Sequence, residues 1–136
     1  MPPPAAAAAT ILCVDDDPGV LEALELFLMS EDFAVITARN GAEALLRVQE
    51  QWPDLIITDY RMPGMTGLEL CKRLRVSRVM RHIPIILHTA VSFPADSPLY
   101  DRTVAKPVDL YALAIQIRCC WPPVTDTRRL VGRVQV

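Results

Sequence analysis

Histidine is scarce in this chain: His82 and His88 are the only two in 136 residues, and the four cysteines, Cys13, Cys71, Cys119 and Cys120, form no CxxC pair. A zinc cage needs closely spaced Cys and His ligands, and a dithiol redox site needs paired cysteines, so neither chemistry fits. Cys13 and Cys71 lie inside apolar-periodic stretches and read as small buried hydrophobes, as reduced cytosolic thiols do. Long apolar runs are missing as well, and none approaches the ~18 residues of a membrane span. Charge of either sign is not in excess: 14 Lys and Arg face 16 Asp and Glu, for a net −2. That balance gives no general electrostatic case for nucleic acid as partner. Residues 1–9 lack a basic n-region, and the apolar stretch that follows ends at Asp15. They are expected to form a disordered Pro/Ala leader and not a secretory signal.

What is present is a foldable chain, 51% apolar and 22% charged, with a length that suits one domain. Such a domain buries roughly two-thirds of its unfolded surface without disulfides or structural metal. The expected division is a leader over 1–9, a domain over 10–120 and a C-terminal tail over 121–136, with no room for a separate output domain.

Apolar runs and amphipathic stretches alternate along the chain. Thr10–Val14 is a short apolar run entering the loop Asp15-Asp16-Asp17-Pro18-Gly19, as a buried strand would. Val20, Leu24 and Phe27, with Leu21 and Leu28 alongside, recur at helical spacing, while Glu22 and Glu25 take the other side. The same patterning predicts strands over 33–38, 54–58, 84–89 and 103–105. It predicts helices over 42–51, from 67 to about 80, and from about 108 to 120. Short, continuously apolar strands separated by helices indicate a parallel sheet covered on both faces. With right-handed crossovers the expected fold is α/β, a doubly wound five-stranded parallel sheet of flavodoxin-like order 2-1-3-4-5. Ligands bind such sheets beyond the carboxyl ends of the strands, an edge that would gather Asp15, Asp16, Asp59 and Thr89.

Carboxylates held together raise each other's pKa and oppose folding unless a cation joins them. Mg²⁺ suits a site with few protein oxygens and several waters. The Asp59 carboxylate is ionised at neutral pH and can attack phosphorus without a general base. Mg²⁺ would offset its repulsion of an incoming phosphoryl group. Lys106, one of two lysines, follows the fifth strand, and its compact ammonium can pair with a carboxylate and then with a phosphoryl oxygen. Thr89 offers a hydroxyl donor at the end of the fourth strand.

The segments Ile11-Leu12-Cys13-Val14-Asp15-Asp16-Asp17, Asp59-Tyr60-Arg61-Met62-Pro63-Gly64-Met65-Thr66-Gly67, Thr89-Ala90 and Lys106-Pro107 closely resemble the receiver domain of two-component response regulators, over about residues 10–120. The resemblance implies a cytoplasmic, chemotaxis-regulator-like domain in which Asp59 accepts phosphate from a histidine kinase or histidine phosphotransfer protein. It implies that Asp15, Asp16 and Asp59 hold Mg²⁺, with the Arg61 backbone carbonyl as a further ligand. Thr89 and Lys106 would sense the phosphoryl group, and Lys106-Pro107 would be cis. Such a domain signals through a downstream protein target, without direct nucleic-acid or membrane contact. It phosphorylates itself and loses the phosphate slowly, and it is not a turnover enzyme.

Two departures from that pattern stand out. Thr89 and Lys106 are seventeen positions apart, fewer than is usual in receivers. The segment between them carries Pro94 and Pro98, each costing a helix interior ~3 kcal/mol. The fourth helix is therefore expected to be shortened or missing. Thr103 stands where receivers commonly place a Tyr or Phe that swings inward on phosphorylation, so the usual readout is altered. The last helix is apolar nearly all round, through Leu110, Tyr111, Leu113, Ile115, Ile117 and Cys119. Part of its surface should be exposed, to be covered by a partner, by a second subunit in a homodimer or by the tail.

Other residues have plainer roles. Asp17, before Pro18, reads as a helix cap, and Asp54 as the start of its strand. Lys72, Arg73, Arg75, Arg78 and Arg81 read as a solvated helix face and not a nucleic-acid surface. His88 alternates with Thr89, so its side chain points away from the pocket. Arg61, two residues past Asp59, could shade attacking water and slow dephosphorylation. Two other functions compete. A haloacid-dehalogenase-like Mg²⁺ phosphohydrolase carries a second acid two residues after its nucleophile, where this chain has Arg61. A receiver-like interaction module would signal without phosphate.

Overall fold

The computed structural model describes residues 9–94 and 96–120. In chain order they form β1 (Thr10–Val14), α1 (Pro18–Ser30), β2 (Ala34–Ala38), α2 (Gly41–Glu50), β3 (Leu55–Thr58), α3 (Gly67–Val76), a 3₁₀ turn at Met80–His82, β4 (Ile85–Thr89), β5 (Arg102–Ala105) and α4 (Leu110–Cys120). All strand pairs are parallel, and the five strands take the order β2-β1-β3-β4-β5, the flavodoxin-like arrangement expected.

Alternation along the strands divides the core into two layers. On one face Leu12, Val14, Ile56, Ile85 and Leu87 pack with Ala44 and Val48 of α2 and Leu70, Cys71 and Leu74 of α3. On the other, Ile11, Cys13, Ile57, Ile86 and Val104 pack with Leu24 and Leu28 of α1 and Leu113 and Ile117 of α4. Side-chain caps fix where the first three helices begin. Asp17 accepts from the Gly19 N–H, and Asn40 accepts from the Glu43 N–H. Thr66 and Glu69 form a reciprocal capping box.

Helix α3 is shorter than its apolar period suggests, ending at Val76 instead of near Met80. The Ser77 hydroxyl oxygen accepts from the Met80 N–H at 3.1 Å, a local bond that competes with the helix ladder and opens the 3₁₀ turn. Between β4 and β5 no helix occurs among the described residues, as Pro94 and Pro98 require. Arg75 anchors this connection. Its guanidinium donates to the carbonyls of Pro98, Arg81 and Ile83 and pairs with Asp101 at 2.9 Å. The solvated-face expectation is thus wrong for Arg75, while Lys72, Arg73, Arg78 and Arg81 are exposed.

On α4, Leu113 and Ile117 are buried, whereas Tyr111 is 78% and Ile115 43% exposed. The expected open apolar surface is there. The tail that could cover it lies outside the described residues, as do residues 1–8 of the leader expected over 1–9. Ala9 itself is no part of a disordered leader: it is buried at 5% exposure, and its carbonyl accepts the Ala34 N–H at 2.9 Å, which extends the β1–β2 pairing. No described helix is long and apolar enough to cross a membrane.

Candidate functional site

The register of β1, β3 and β4 places the residues that follow them at the same edge of the sheet. Asp15 continues β1 and is buried, its N–H donating to the Ala38 carbonyl. Asp59 follows β3 and is 7% exposed, its N–H donating to the Val14 carbonyl. Asp16 sits one residue further out and is exposed. One carboxylate oxygen from each of Asp15, Asp16 and Asp59 lies within 4.8 Å of the others. All the donors are hard oxygens, and Asp16 keeps one side open to water, a set that fits Mg²⁺.

The cation already in this cluster is Lys106, whose N–H donates to the Thr89 carbonyl beyond the end of β5. Its Nζ lies 2.7 Å from Asp15 Oδ2 and 3.3 Å from Asp59 Oδ2. Burial alone would lower the pKa of the ammonium. The hydrogen bond and charge of Asp15, joined by Asp59, outweigh that and raise it, so Lys106 stays charged. The Lys106–Pro107 bond is cis.

Asp59 Oδ1 accepts the Tyr60 N–H at 2.8 Å, leaving Oδ2 toward Lys106. Thr89 is buried at the end of β4, and its Oγ1 accepts from the Val91 N–H at 3.1 Å. Its hydroxyl proton is therefore available to a further acceptor. Arg61 is exposed and lines a shallow hollow with Asp16, Tyr60, Met62, Pro63 and Thr66. The geometry permits a carboxylate nucleophile flanked by an ammonium and a hydroxyl, beside an oxygen cage for a divalent ion.

The remaining residues divide as their local chemistry suggests. The Asp17 carboxylate caps α1 while its N–H donates to Asp15 Oδ1 at 2.9 Å, and Asp54 accepts the Thr10 N–H through Oδ2, so neither carboxylate joins the cluster. Thr103 is half-buried on β5, paired in register with Leu87. His88 shares its strand face with Ile86 and is buried, with Nε2 lacking a hydrogen-bond partner among the described residues. Burial above all, then the Lys106 charge, lowers its pKa to about 4 against the opposing charge of Asp15.

Two features escape sequence reasoning. Gly67 brings the start of α3 against Asp59: its N–H donates to the Tyr60 carbonyl at 2.8 Å, and a Cβ there would overlap the Asp59 carbonyl oxygen. The Thr66–Glu69 capping box marks that helix start in the sequence, but not the approach. The Tyr60 ring packs edge-to-face on Phe93, with centroids 4.8 Å apart, and Phe93 in turn meets Tyr100 at 6.5 Å. No local pattern announces that contact.

Comparison with known proteins agrees with this geometry. Residues 11–117 match the model of the response regulator receiver domain. The DNA-binding response regulator MtrA of Mycolicibacterium smegmatis is 36% identical over 113 residues, which cover 79% of this chain and 48% of that protein. Response regulator PleD of Caulobacter vibrioides is 39% identical over 114 residues, 79% of this chain and 25% of its own. The chain thus spans half or less of the length of these curated relatives. Among solved structures, chemotaxis response regulator CheY4 of Vibrio cholerae superposes with a TM-score of 0.77 at 28% identity, covering 83% of this chain and 98% of the other. Response regulator TrrA of Thermotoga maritima, solved in complex with Mg²⁺-BeF, gives 0.75 at 34% identity, covering 82% and 98%.

Proposed function

Because the chain belongs to the response regulator receiver family, we propose that it is a phosphoacceptor whose Asp59 takes a phosphoryl group from a histidine kinase or histidine phosphotransfer protein. The observation that carries this is the convergence of Asp59 with Asp15, Asp16 and Lys106 at one strand edge. Asp15, Asp16, Asp59 and the Arg61 backbone carbonyl would hold Mg²⁺, which when bound neutralises charge on the incoming phosphoryl group. Lys106 pairs with Asp59 Oδ2 and orients it, then pairs with a phosphoryl oxygen as a point charge. Thr89 donates its hydroxyl proton to another such oxygen. As Asp59 forms its oxygen–phosphorus bond, the donor's bond to phosphorus breaks and its electron pair leaves with the donor.

Receivers are signalling domains, not turnover enzymes, so the product is a phosphoprotein in the cytoplasm that hands its state to a downstream protein or a second copy. The exposed Leu110, Tyr111 and Ile115 of α4 offer an apolar contact for either. Arg61, at the rim of the hollow, screens the acyl phosphate from water, so Arg61→Ala should shorten its lifetime.

The test is intact mass measurement after incubation with Mg²⁺ and acetyl phosphate. One phosphate adduct, absent in Asp59→Asn and strongly reduced in Asp16→Asn, is expected. No adduct would leave an interaction module that works without phosphate. Donor consumption without an adduct would indicate a phosphohydrolase.

A further inference from the structure

Between β4 and β5 the described residues 90–94 and 96–101 form no helix, and two anchors hold this connection to the domain. Asp101 is fixed at its far end by Arg75. At its near end the anchor is Phe93, four residues beyond Thr89. The Phe93 ring stands edge-on between Tyr60, at 68° and 4.8 Å, and Tyr100, at 72° and 6.5 Å. Tyr100 is 4% exposed, and its hydroxyl donates to the Pro94 carbonyl, next to Phe93. Edge-to-face aromatic pairs of this kind are directional, so a shift of one ring is felt by the next.

Two members of this array, Tyr60 and Phe93, are tied to the site through the backbone beside them. Tyr60 adjoins Asp59 and donates its N–H to Asp59 Oδ1 at 2.8 Å. Val91, two residues before Phe93, donates its N–H to Thr89 Oγ1 at 3.1 Å. A Thr89 hydroxyl drawn toward a phosphoryl oxygen therefore carries the Val91 N–H with it, and Phe93 follows within a tightly packed layer. Thr103 offers no ring on β5 that could respond instead.

We infer that Phe93 is a positioning residue: it holds the Thr89–Val91 turn in place and transmits phosphoryl occupancy of Asp59 to Tyr100 through the Tyr60–Phe93–Tyr100 array. This rests on Asp59 being the phosphoacceptor. It makes the connection between β4 and β5 the part of the surface that changes with phosphorylation.

The three tyrosines, Tyr60, Tyr100 and Tyr111, make the test direct. The full chain is labelled with 3-fluorotyrosine, and its ¹⁹F spectrum is recorded before and after adding Mg²⁺ with acetyl phosphate, with intact mass followed in parallel. The Tyr100 resonance, assigned by its loss in Tyr100→Phe, should move as the adduct forms, read against free trifluoroacetate as the reference. In Phe93→Leu the adduct should accumulate severalfold more slowly and the Tyr100 shift should vanish; Phe93→Tyr should restore both. An adduct without any Tyr100 shift, or a shift that persists in Phe93→Leu, overturns the inference and leaves the phosphoacceptor role standing. Absence of an adduct in the parent chain overturns both. Unfolding midpoints of the two variants, measured alongside, separate a positioning effect from simple loss of fold.

Discussion

Lys106 Nζ donates to Asp15 Oδ2 at 2.7 Å across 91 positions of the chain, and this ion pair is what lets buried carboxylates share the carboxyl edge of the sheet. Without the ammonium, Asp15 would face Asp59 and Asp16 with no counter-charge. Breaking a buried pair from one side costs about 3–5 kcal/mol, and the Lys106 side chain, 20% exposed, places this pair at the lower end. Lys106→Met should therefore lose about 3 kcal/mol in urea unfolding without divalent ions. Mg²⁺ should recover more stability in the variant than in the parent, because it supplies the missing positive charge. Equal Mg²⁺ gains in the two proteins would contradict this.

Gly67 sits where the start of α3 meets the backbone of Asp59. An added methyl must push either the helix or the phosphoacceptor aside, since the atom it meets is a backbone carbonyl oxygen. Overpacking of this kind costs about 1–3 kcal/mol. Gly67→Ala should lose about 2 kcal/mol of stability and also slow phosphate uptake from acetyl phosphate. Full stability with unchanged uptake would show that the approach tolerates a side chain.

Legibility in the sequence follows how local each determinant is. β1, β3 and β4 are continuous apolar runs ended by Asp15, Asp59 and Thr89, so the edge that gathers these residues could be read from strand order. Pro94 and Pro98 likewise announce the missing helix through their own backbones. Arg75 could not be found that way. Its helical period groups it with Lys72 and Arg73, while the carbonyls and carboxylate it binds belong to residues 81, 83, 98 and 101. Phe93 and Tyr60 meet across 33 positions in a segment without regular structure. The early stop of α3 depends on one hydroxyl, Ser77, and not on any change in hydrophobic period.

Arg75 should then be a stability residue. Arg75→Ala leaves the carbonyls of Arg81, Ile83 and Pro98 without this donor. It leaves the Asp101 carboxylate with the Ile85 N–H alone among the described residues, while the Asp101 N–H still donates to the Ile85 carbonyl. Hydrogen bonds from a charged group contribute about 1.5–3 kcal/mol each when well formed. Solvent takes over part of that here, so a loss of about 2–3 kcal/mol is expected in equilibrium unfolding. Arg75→Lys should recover little, because an ammonium cannot reproduce the planar fork. Hydrogen exchange at the Ile85 amide should speed up in both variants. Unaltered exchange there would mean that Asp101 holds its place without Arg75.

His88 predicts a pH dependence of definite sign. Folded, its pKa is lowered to about 4, mainly by burial, with the Lys106 charge adding and the Asp15 charge opposing; unfolded, it returns to the ordinary 6.5. Between these values the unfolded chain binds a proton that the folded chain refuses, so stability declines as pH falls. The neutral form is fully accommodated above about pH 7, and the loss from this one group accumulates to about 3 kcal/mol as pH approaches 4. Carboxylates titrating in the same range add their own slope, so the comparison that isolates His88 is between the parent and His88→Leu. Urea midpoints at pH 7, 6 and 5 should fall more steeply in the parent, with the variant gaining relative stability at each step down. Parallel pH profiles would mean that the imidazole is protonated within the fold, with Nε2 donating to an acceptor that offsets its burial.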